Sequence, residues 1–293
     1  MTGDDFDPHS VPVRDAATVM LVRDGAAGLE VFMLRRTLAA AFAGGLYVFP
    51  GGAVDDADRH HEVEGRCVGR SDAKASGVLG VGAGGLAYWV AAIRECFEEA
   101  GVLLAVDGGG AVVRFDRDDV AARFVDHRRA VHQGATRLVD LCAQEGLRLD
   151  VGGIHYVSHW ITPVGERRRF DTRFFVAAAP DAQEPLHDDH ETIESRWISP
   201  SGALEAYDRG ELAMIMPTLA NLRFLAPHAQ AADALAAAAA LPPPPVIHPT
   251  LVVDEEGEVR ILLPDEAAVP HEVRQQDRFP PGLGARSAPR PDG

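Results

Sequence analysis

One segment, residues 86–104, combines a helical apolar period with an acidic face. Its apolar residues recur at three- and four-residue steps, which predicts an α-helix with one side in a core. Those residues are Trp89, Ala92, Ile93, Cys96, Phe97, Ala100 and Leu104. Gly101 suits the C-terminal boundary of this helix, because glycine readily adopts the left-handed backbone found there. Glu95, Glu98 and Glu99 fall between the apolar positions and share one face.

These glutamates predict a metal site. Carboxylates this close repel one another unless cations compensate their charge, and hard oxygen ligands suit Mg²⁺ or Mn²⁺. Glu95, Glu98 and Glu99 are therefore the predicted metal ligands, and Glu95 and Glu98 are also candidate catalytic residues. Arg94, a further catalytic candidate, is predicted to orient the glutamates through charge-assisted hydrogen bonds. The alternative for a bare Glu-x-x-Glu-Glu pattern is a solvated acidic helix face.

Charge and cysteine content narrow the function classes. The formal net charge is −16, from 44 acidic and 28 basic residues, which disfavours nucleic acid and anionic membranes as partners. Three widely spaced cysteines indicate neither a disulfide framework nor a Cys-rich zinc site, and they fit a reducing compartment. The first residues form no apolar targeting segment, and no run approaches the roughly 20 apolar residues of a membrane span. We expect a cytoplasmic protein.

Turn-forming residues and apolar runs predict the organisation of the chain. The predicted parts are a flexible leader at 1–14, a main domain at 15–228, a loop-like insertion at about 59–85, a helical insertion at about 107–150, an Ala/Pro-rich extension at 229–269 and a disordered tail at 270–293. The predicted strands and turns are a hairpin at 17–23 and 29–35, a tight turn at 50–52, strands at 155–161, 169–179 and 195–198, and a last hairpin at 246–253 and 258–263. Helices are predicted at 204–209, 218–225 and 231–240.

The acidic segment also fits the second half of a longer pattern, the Nudix signature G-x5-E-x7-R-E-U-x-E-E-x-G-U, where U is apolar. Arg94, Glu95, Glu98, Glu99, Gly101 and Val102 match it, with Cys96 at the first apolar position. Gly52 takes the opening glycine, and Asp58 stands in for the first glutamate. Residues 59–93 then lie where the pattern has seven residues. Such a long insertion is tolerable between a loop and a helix, because each doubling of a loop costs only about 0.6 kcal/mol.

This interrupted box resembles one branch of the Nudix hydrolases, the peroxisomal coenzyme A diphosphatases of mammalian kidney and their bacterial relatives. The resemblance covers roughly residues 17–225 and includes the segments at 48–52, 160–163, 168–175, 194–200 and 216–218. It implies the Nudix fold of class α/β (α+β), a mixed β-sheet sandwiched between helices, here with a helical insertion and a C-terminal extension. It also implies Mg²⁺- or Mn²⁺-dependent hydrolysis of a small-molecule diphosphate, and a homodimer. For the general base, the family uses either a box glutamate or a later acidic residue, which makes Glu191 and Glu194 candidates.

Substrate recognition is predicted from an upstream pattern of the coenzyme A hydrolases of this superfamily. Arg36, Gly51 and Gly52 match it and, with Arg35, are the predicted substrate-binding residues, whereas Leu34 and Ala41 replace an expected threonine and arginine. The arginines at 167–169 could substitute for the missing one. The leading prediction is hydrolysis of coenzyme A or acyl-CoA to 3′,5′-ADP and (acyl-)4′-phosphopantetheine. The alternatives are ADP-ribose or NADH as substrate, or a catalytically silent module that binds a nucleotide.

Overall fold

The computed structural model describes residues 7–38, 43–188, 191–253 and 259–264. Ala41, residues 189–190 of the loop before Glu191, the predicted turn at 254–257 and the predicted tail at 270–293 lie outside the described residues. The first six residues of the predicted leader lie outside them as well.

The described chain alternates strands and helices. Its strands are β1 (Val13–Gly25), β2 (Gly28–Arg36), β3 (Tyr47–Val48), β4 (Gly51–Ala53), β5 (Cys67–Val68), β6 (Ala105–Val106), β7 (Arg148–Asp150), β8 (Ile154–Ile161), β9 (Arg169–Ala178), β10 (Thr192–Ile198), β11 (Val246–Ile247), β12 (Thr250–Val253) and β13 (Val259–Leu262). Its α-helices are α1 (Asp72–Leu79), α2 (Leu86–Ala100), α3 (Asp118–His132), α4 (Leu138–Glu145), α5 (Pro200–Asp208), α6 (Met216–Leu225) and α7 (Ala231–Ala239).

Eight strands form the main sheet, in the order β10-β2-β1-β9-β8-β11, with β3 on β2 and β4 on β1. The pairs β1–β9 and β8–β11 are parallel and the other pairs are antiparallel. The mixed sheet and the opening hairpin of β1 and β2 are therefore confirmed. A separate small sheet joins β5, β7 and β6.

Alternating residues of the sheet contribute side chains to two hydrophobic cores, because successive side chains of a strand point to opposite faces. Val19 and Leu21 of β1 pack into a core with Trp89 and Phe97 of α2. Met20 and Val22, on the other face, pack into a core with residues of α5, α6 and α7. The sheet is thus sandwiched between helices, as the resemblance implied.

Two predictions about the organisation of the chain differ from the structure. Val13 and Arg14 belong to β1 and pair with Arg169 and Phe170 of β9, so they are not part of a flexible leader. The segment at 59–85 is not simply a loop, since it contains α1. Ser71 caps α1 by accepting a hydrogen bond from the Lys74 N–H. No apolar period predicts this helix, because only Ala75 and Ser76 in it are buried.

The C-terminal extension packs onto the rest of the fold. Ala234 and Ala238 of α7 are buried in the second core. The N–H of Ala231, at the start of α7, donates to the Asp24 carboxylate over 2.7 Å. β11 continues the main sheet beside β8, and β12 pairs with β13 as the predicted hairpin. No helix in the described part of the chain is long and apolar enough to cross a membrane.

Candidate active site

The glycines of β4 lie where helix α2 meets the sheet. Gly51 and Gly52 were predicted to form a tight turn, but they pair antiparallel with Thr18 and Ala17 of β1. Neither has a positive φ. Close approach explains the glycines instead: a Cβ on Gly51 would lie 2.6 Å from the Ala17 carbonyl oxygen, and one on Gly52 would lie 2.4 Å from Glu95 Oε1. Gly51 also donates its N–H to Glu99 Oε2 over 3.0 Å.

Both ends of α2 are held by defined contacts. Asp72, the first residue of α1, accepts hydrogen bonds from the N–H groups of Gly84 and Leu86 at 3.0 Å each. These bonds lower the pKa of Asp72 and satisfy donors that a helix N-terminus leaves free. At the other end Gly101 has φ 71° and donates to the Phe97 carbonyl, so its predicted role as the helix boundary is confirmed.

Arg94 connects the two halves of the interrupted box. Its Nε and Nη2 atoms bond both oxygens of Asp58, at 3.0 Å each, and Nη2 also donates to the Ala53 carbonyl at 2.7 Å. Nη1 lies 2.9 Å from Glu95 Oε1 and 3.2 Å from Glu98 Oε1. Arg94 and Asp58 are buried, at 8% and 2% exposure. The guanidinium group thus has the contacts expected of a residue that orients the glutamates.

Arg36 contacts two further carboxylates. Its Nη1 lies 3.5 Å from Glu99 Oε1, and its Nη2 lies 3.3 Å from Glu191 Oε2. Glu99 is buried at the base of the cleft, whereas the side chain of Glu191 is 52% exposed. Arg36 therefore bridges an acidic box residue and one of the two candidate general bases.

Arg35 and Glu194 lie apart from these groups. Neighbouring residues of a strand face opposite sides, so Arg35 points away from the side that Arg36 occupies. Its Nη1 lies 3.5 Å from Glu194 Oε2, and its guanidinium lies 5.9 Å from the Tyr47 ring centre. Glu194 also pairs with Arg196. Neither Arg35 nor Glu194 lines the cleft that Arg36 and Glu191 line. The structure thus does not bring these two predicted site residues to the box glutamates.

Carboxylates crowd together around Arg94 and Arg36, and all of them except Asp55 and Glu191 are largely buried. Arg94 and Arg36 are paired with six of them: Asp55, Asp58, Glu95, Glu98, Glu99 and Glu191. Burial raises the pKa of Glu95 to about 7, although Arg94 opposes the shift. Burial and the nearby Glu95 raise the pKa of Glu99 well above its usual value. Burial also raises the pKa values of Glu98 and Asp58. A bound cation would compensate this excess of negative charge and favour the ionised carboxylates.

The three box glutamates do not yet converge as a complete ligand set. Among the described residues, no three His, Cys, Asp or Glu side chains are placed to hold an ion between them. Arg94 donates hydrogen bonds to one oxygen of Glu95 and one of Glu98, and the Gly51 N–H donates to one oxygen of Glu99. The chemistry of the donor set nevertheless fits a hard divalent cation, since every donor is a carboxylate.

Most of these groups line a cleft of about 480 Å³. Most of its remaining wall is apolar and comes from β8, β9, the start of α6 and the C-terminal extension. The apolar lining residues include Trp160, Ile161, Phe170, Phe174, Ile215, Met216, Pro217, Pro249 and Ile261. One cavity thus combines an acidic, cation-attracting group of side chains with a mostly apolar wall.

Several cleft residues were not predicted as site residues. Pro249 and Ile261 belong to the C-terminal extension, and Arg14 falls in the predicted leader, so no signature marks them. His132 of α3 does not line this cleft, but its Nδ1 lies 3.6 Å from Glu98 Oε2. Of the arginines at 167–169, Arg168 lines the cleft, whereas Arg169 is buried and donates to the Thr162 carbonyl.

Comparison with known proteins identifies the family. The sequence model of the NUDT19 Nudix domain matches residues 70–225. This chain belongs to that Nudix family. The matched region begins after Gly52 and Asp58, and the contact of Asp58 with Arg94 is one of those that join the first half of the Nudix box to the second.

Individual relatives support the same assignment to the Nudix family. The acyl-coenzyme A diphosphatase NUDT19 of Gallus gallus is 28% identical, with 70% of this chain and 65% of that protein covered. The Homo sapiens protein of the same name is also 28% identical, with 71% and 63% covered. The chain thus spans slightly less than two thirds of these relatives. A crystal structure of a NUDIX hydrolase from Alicyclobacillus acidocaldarius superposes with a TM-score of 0.64 at 29% identity, covering 78% of this chain and 97% of that one. The Nudix fold is therefore confirmed.

Proposed function

We propose that this chain hydrolyses the diphosphate of coenzyme A or of an acyl-CoA, giving 3′,5′-ADP and (acyl-)4′-phosphopantetheine. The observation that carries the proposal is the joined Nudix box, in which Arg94 holds Asp58, Glu95 and Glu98 together beside a cleft. The name of the curated relatives, acyl-coenzyme A diphosphatase, supports this substrate over ADP-ribose or NADH.

Nudix hydrolases in general use divalent metal ions, and we propose Mg²⁺ or Mn²⁺ here, held by Glu95, Glu98 and Glu99. When bound, such ions neutralise phosphate oxygens and lower the pKa of a coordinated water. The six carboxylates around Arg94 and Arg36 support a cation at this place.

The side chains of the protein supply orientation and a proton acceptor. Arg94 fixes Glu95 and Glu98 relative to the helix, while Gly52 leaves room for the Glu95 carboxylate beside β4. We propose Glu191 rather than Glu194 as the general base, because Glu191 lines the cleft and is half exposed, so a water molecule can reach it. Arg36 positions Glu191 through their contact and also borders the cleft, where it can meet a phosphate oxygen.

The experiment is a substrate panel. Purified protein is incubated with Mg²⁺ or Mn²⁺ and with coenzyme A, short- and long-chain acyl-CoA, ADP-ribose or NADH, and products are separated by chromatography. We expect 3′,5′-ADP from the coenzyme A compounds, with no reaction after chelation of the metal. A preference for ADP-ribose or NADH would replace the substrate proposal. No turnover of any compound, with nucleotide binding retained, would instead indicate a silent module.

We further propose a cytoplasmic homodimer that binds neither nucleic acid nor membrane. The acidic net charge of −16 and the three free cysteines support the location and the absence of polyanionic partners. The dimer follows from the resemblance alone. Light scattering coupled to gel filtration measures the mass in solution, and a mass of one chain would exclude the dimer.

A further inference from the structure

Two arginines form a second basic centre in the cleft, separate from the Nudix box. Arg14 of β1 and Arg168, just before β9, both line the cavity. Both are exposed, and neither forms an ion pair within the part of the chain that the structure describes. Arg36 and Arg94, in contrast, are surrounded by carboxylates. In a chain of net charge −16, two such arginines beside one cavity point to an anionic ligand.

The sheet places these two arginines together. Arg14 is paired with Phe170 in the parallel register of β1 and β9. Arg168 precedes Phe170 by two residues, and all three line the cleft. Residues two apart in an extended chain face the same side, so Arg14 and Arg168 are both neighbours of Phe170 on the cleft wall, one across the strand pair and one along the chain.

The register also gives their separation from the box. Ala53, whose carbonyl oxygen Arg94 contacts, is paired with Ala16 of β1, and Arg14 is two residues further along that strand. Two residues of a strand span roughly 7 Å. The backbone of Arg14 therefore lies roughly 7 Å along β1 from the residue that pairs with Ala53, which sets the second basic centre apart from the Nudix box.

We propose that Arg14 and Arg168 bind a phosphate monoester carried by the ribose of the substrate, the 3′-phosphate in the case of coenzyme A. This inference rests on the proposed function and deepens it, because ADP-ribose and NADH lack that group. Guanidinium groups suit phosphate oxygens, to which they can donate two parallel hydrogen bonds.

One nearby acid is compatible with this role. Glu166, in the turn between β8 and β9, also lines the cleft. Burial raises the pKa of its carboxyl group, which reduces the negative charge it places near a bound phosphate. Glu166 is therefore an acid of the same cleft whose ionised form is disfavoured by burial.

The test compares ligands with and without the 3′-phosphate. kcat/KM is measured for coenzyme A and for dephospho-CoA in the wild type, Arg14→Ala, Arg168→Ala and the control Arg223→Ala, an exposed arginine of α6 outside the cleft. We expect each cleft substitution to lower kcat/KM for coenzyme A by about ten- to a hundredfold, as for loss of a charge-assisted hydrogen bond. Values for dephospho-CoA, and both values for the control, should stay the same. Melting temperatures check that the exposed substitutions leave the fold intact.

A binding measurement separates this inference from the proposed function. Calorimetry compares 3′,5′-ADP with 5′-AMP, which lacks the 3′-phosphate. Tighter binding of 3′,5′-ADP that disappears in Arg14→Ala supports the subsite even if no coenzyme A is hydrolysed, in which case only the proposed function fails. Equal use of coenzyme A and dephospho-CoA by the wild type, together with equal binding of the two nucleotides, would overturn the inference while leaving the diphosphatase proposal standing.

Discussion

Arg94 and Asp58 form a doubly hydrogen-bonded ion pair, with Nε 3.0 Å from Oδ1 and Nη2 3.0 Å from Oδ2, although 36 positions separate them in the chain. The pair is buried and lies beside the carbonyl of Ala53. It closes the long insertion between the two halves of the Nudix box. The pair therefore helps to hold α2 next to β4.

Replacing Asp58 should destabilise the protein. Asp58→Asn leaves the buried guanidinium group without its doubly bonded partner, and we expect a loss of about 2 kcal/mol or more in the free energy of unfolding. Asp58→Glu restores the charge and is the residue of the Nudix signature, so it should lose less. Urea unfolding measures the difference, with the exposed Asp56→Asn as the matched control. Equal stability of the Asp58→Asn and Asp56→Asn variants would contradict the role given to the pair.

Replacing Glu98 should separate activity from stability. Glu98→Gln keeps the shape of the side chain but removes a carboxylate from a crowded acidic site, where burial already raises its pKa. We expect turnover to fall by about a hundredfold or more, since bound cations supply several kcal/mol of charge stabilisation. The melting temperature should be unchanged or higher. Mn²⁺ binding, followed by electron paramagnetic resonance, should weaken in parallel, and unchanged turnover would show that the metal ligands are misassigned.

The two glycines of β4 should respond differently to alanine. A Cβ at Gly52 meets the carboxylate end of Glu95, which is a side chain that can move, so Gly52→Ala should lower activity more than stability. A Cβ at Gly51 meets the backbone of Ala17 and Thr18, so Gly51→Ala should disrupt the pairing of β4 with β1 and lower the melting temperature. Gly82→Ala, with open space around it, is the control for both. The opposite order of effects would exclude close approach as the reason for the glycines.

Asp72 should contribute stability that depends on pH. Hydrogen bonds from the N–H groups of Leu86 and Gly84 lower the pKa of its carboxyl group. A lowered pKa in the folded state means that the contribution is fully present above the unfolded pKa of about 3.9 and is lost as pH falls below it. Asp72→Ala should cost about 1 kcal/mol at pH 7, as for loss of a helix cap. Unfolding curves of both proteins should converge in strong acid, and a constant difference across pH would contradict this.

The sequence predicted the parts of the fold that have their own periodicity or turn chemistry. Helix α2 with its end at Gly101, the hairpin of β1 and β2, and the strands β8 and β9 are examples. Helix α1 was missed, because it buries few side chains and depends on contacts such as those of Asp72 with the start of α2. The stability of α1 comes from tertiary contacts, which leave no local pattern in the sequence.

The candidate site was predictable where a signature joins residues, and not elsewhere. The box glutamates and Arg94 were found because they follow one another on a helix. Arg35 and Arg36, by contrast, are adjacent in sequence but lie on opposite faces of β2, and no motif states which face borders the cleft. Arg14 and Ile261 reach the cleft from β1 and β13, which are far apart in the chain, so only the folded structure reveals that they share it.

The packing of α7 predicts that this helix of the C-terminal extension folds together with the Nudix domain. Ala234 is fully buried, so Ala234→Asp places an unpaired charge in the second core and should lower the free energy of unfolding by about 3 kcal/mol or more. Ala236→Asp, at an exposed position of the same helix, should have little effect. Thermal unfolding of the two variants makes the comparison. Equal melting temperatures would show that the extension folds independently of the Nudix domain.

The cleft wall at Ile261 has a consequence for the order of events during protein synthesis. The acidic helix leaves the ribosome first, and at typical elongation rates the hairpin that carries Ile261 follows roughly 10 s or more later. A nascent chain can therefore expose its cluster of glutamates well before the opposite wall exists. Full selectivity for a ligand then arises only after the residues around Ile261 have been synthesised and have packed against the cleft.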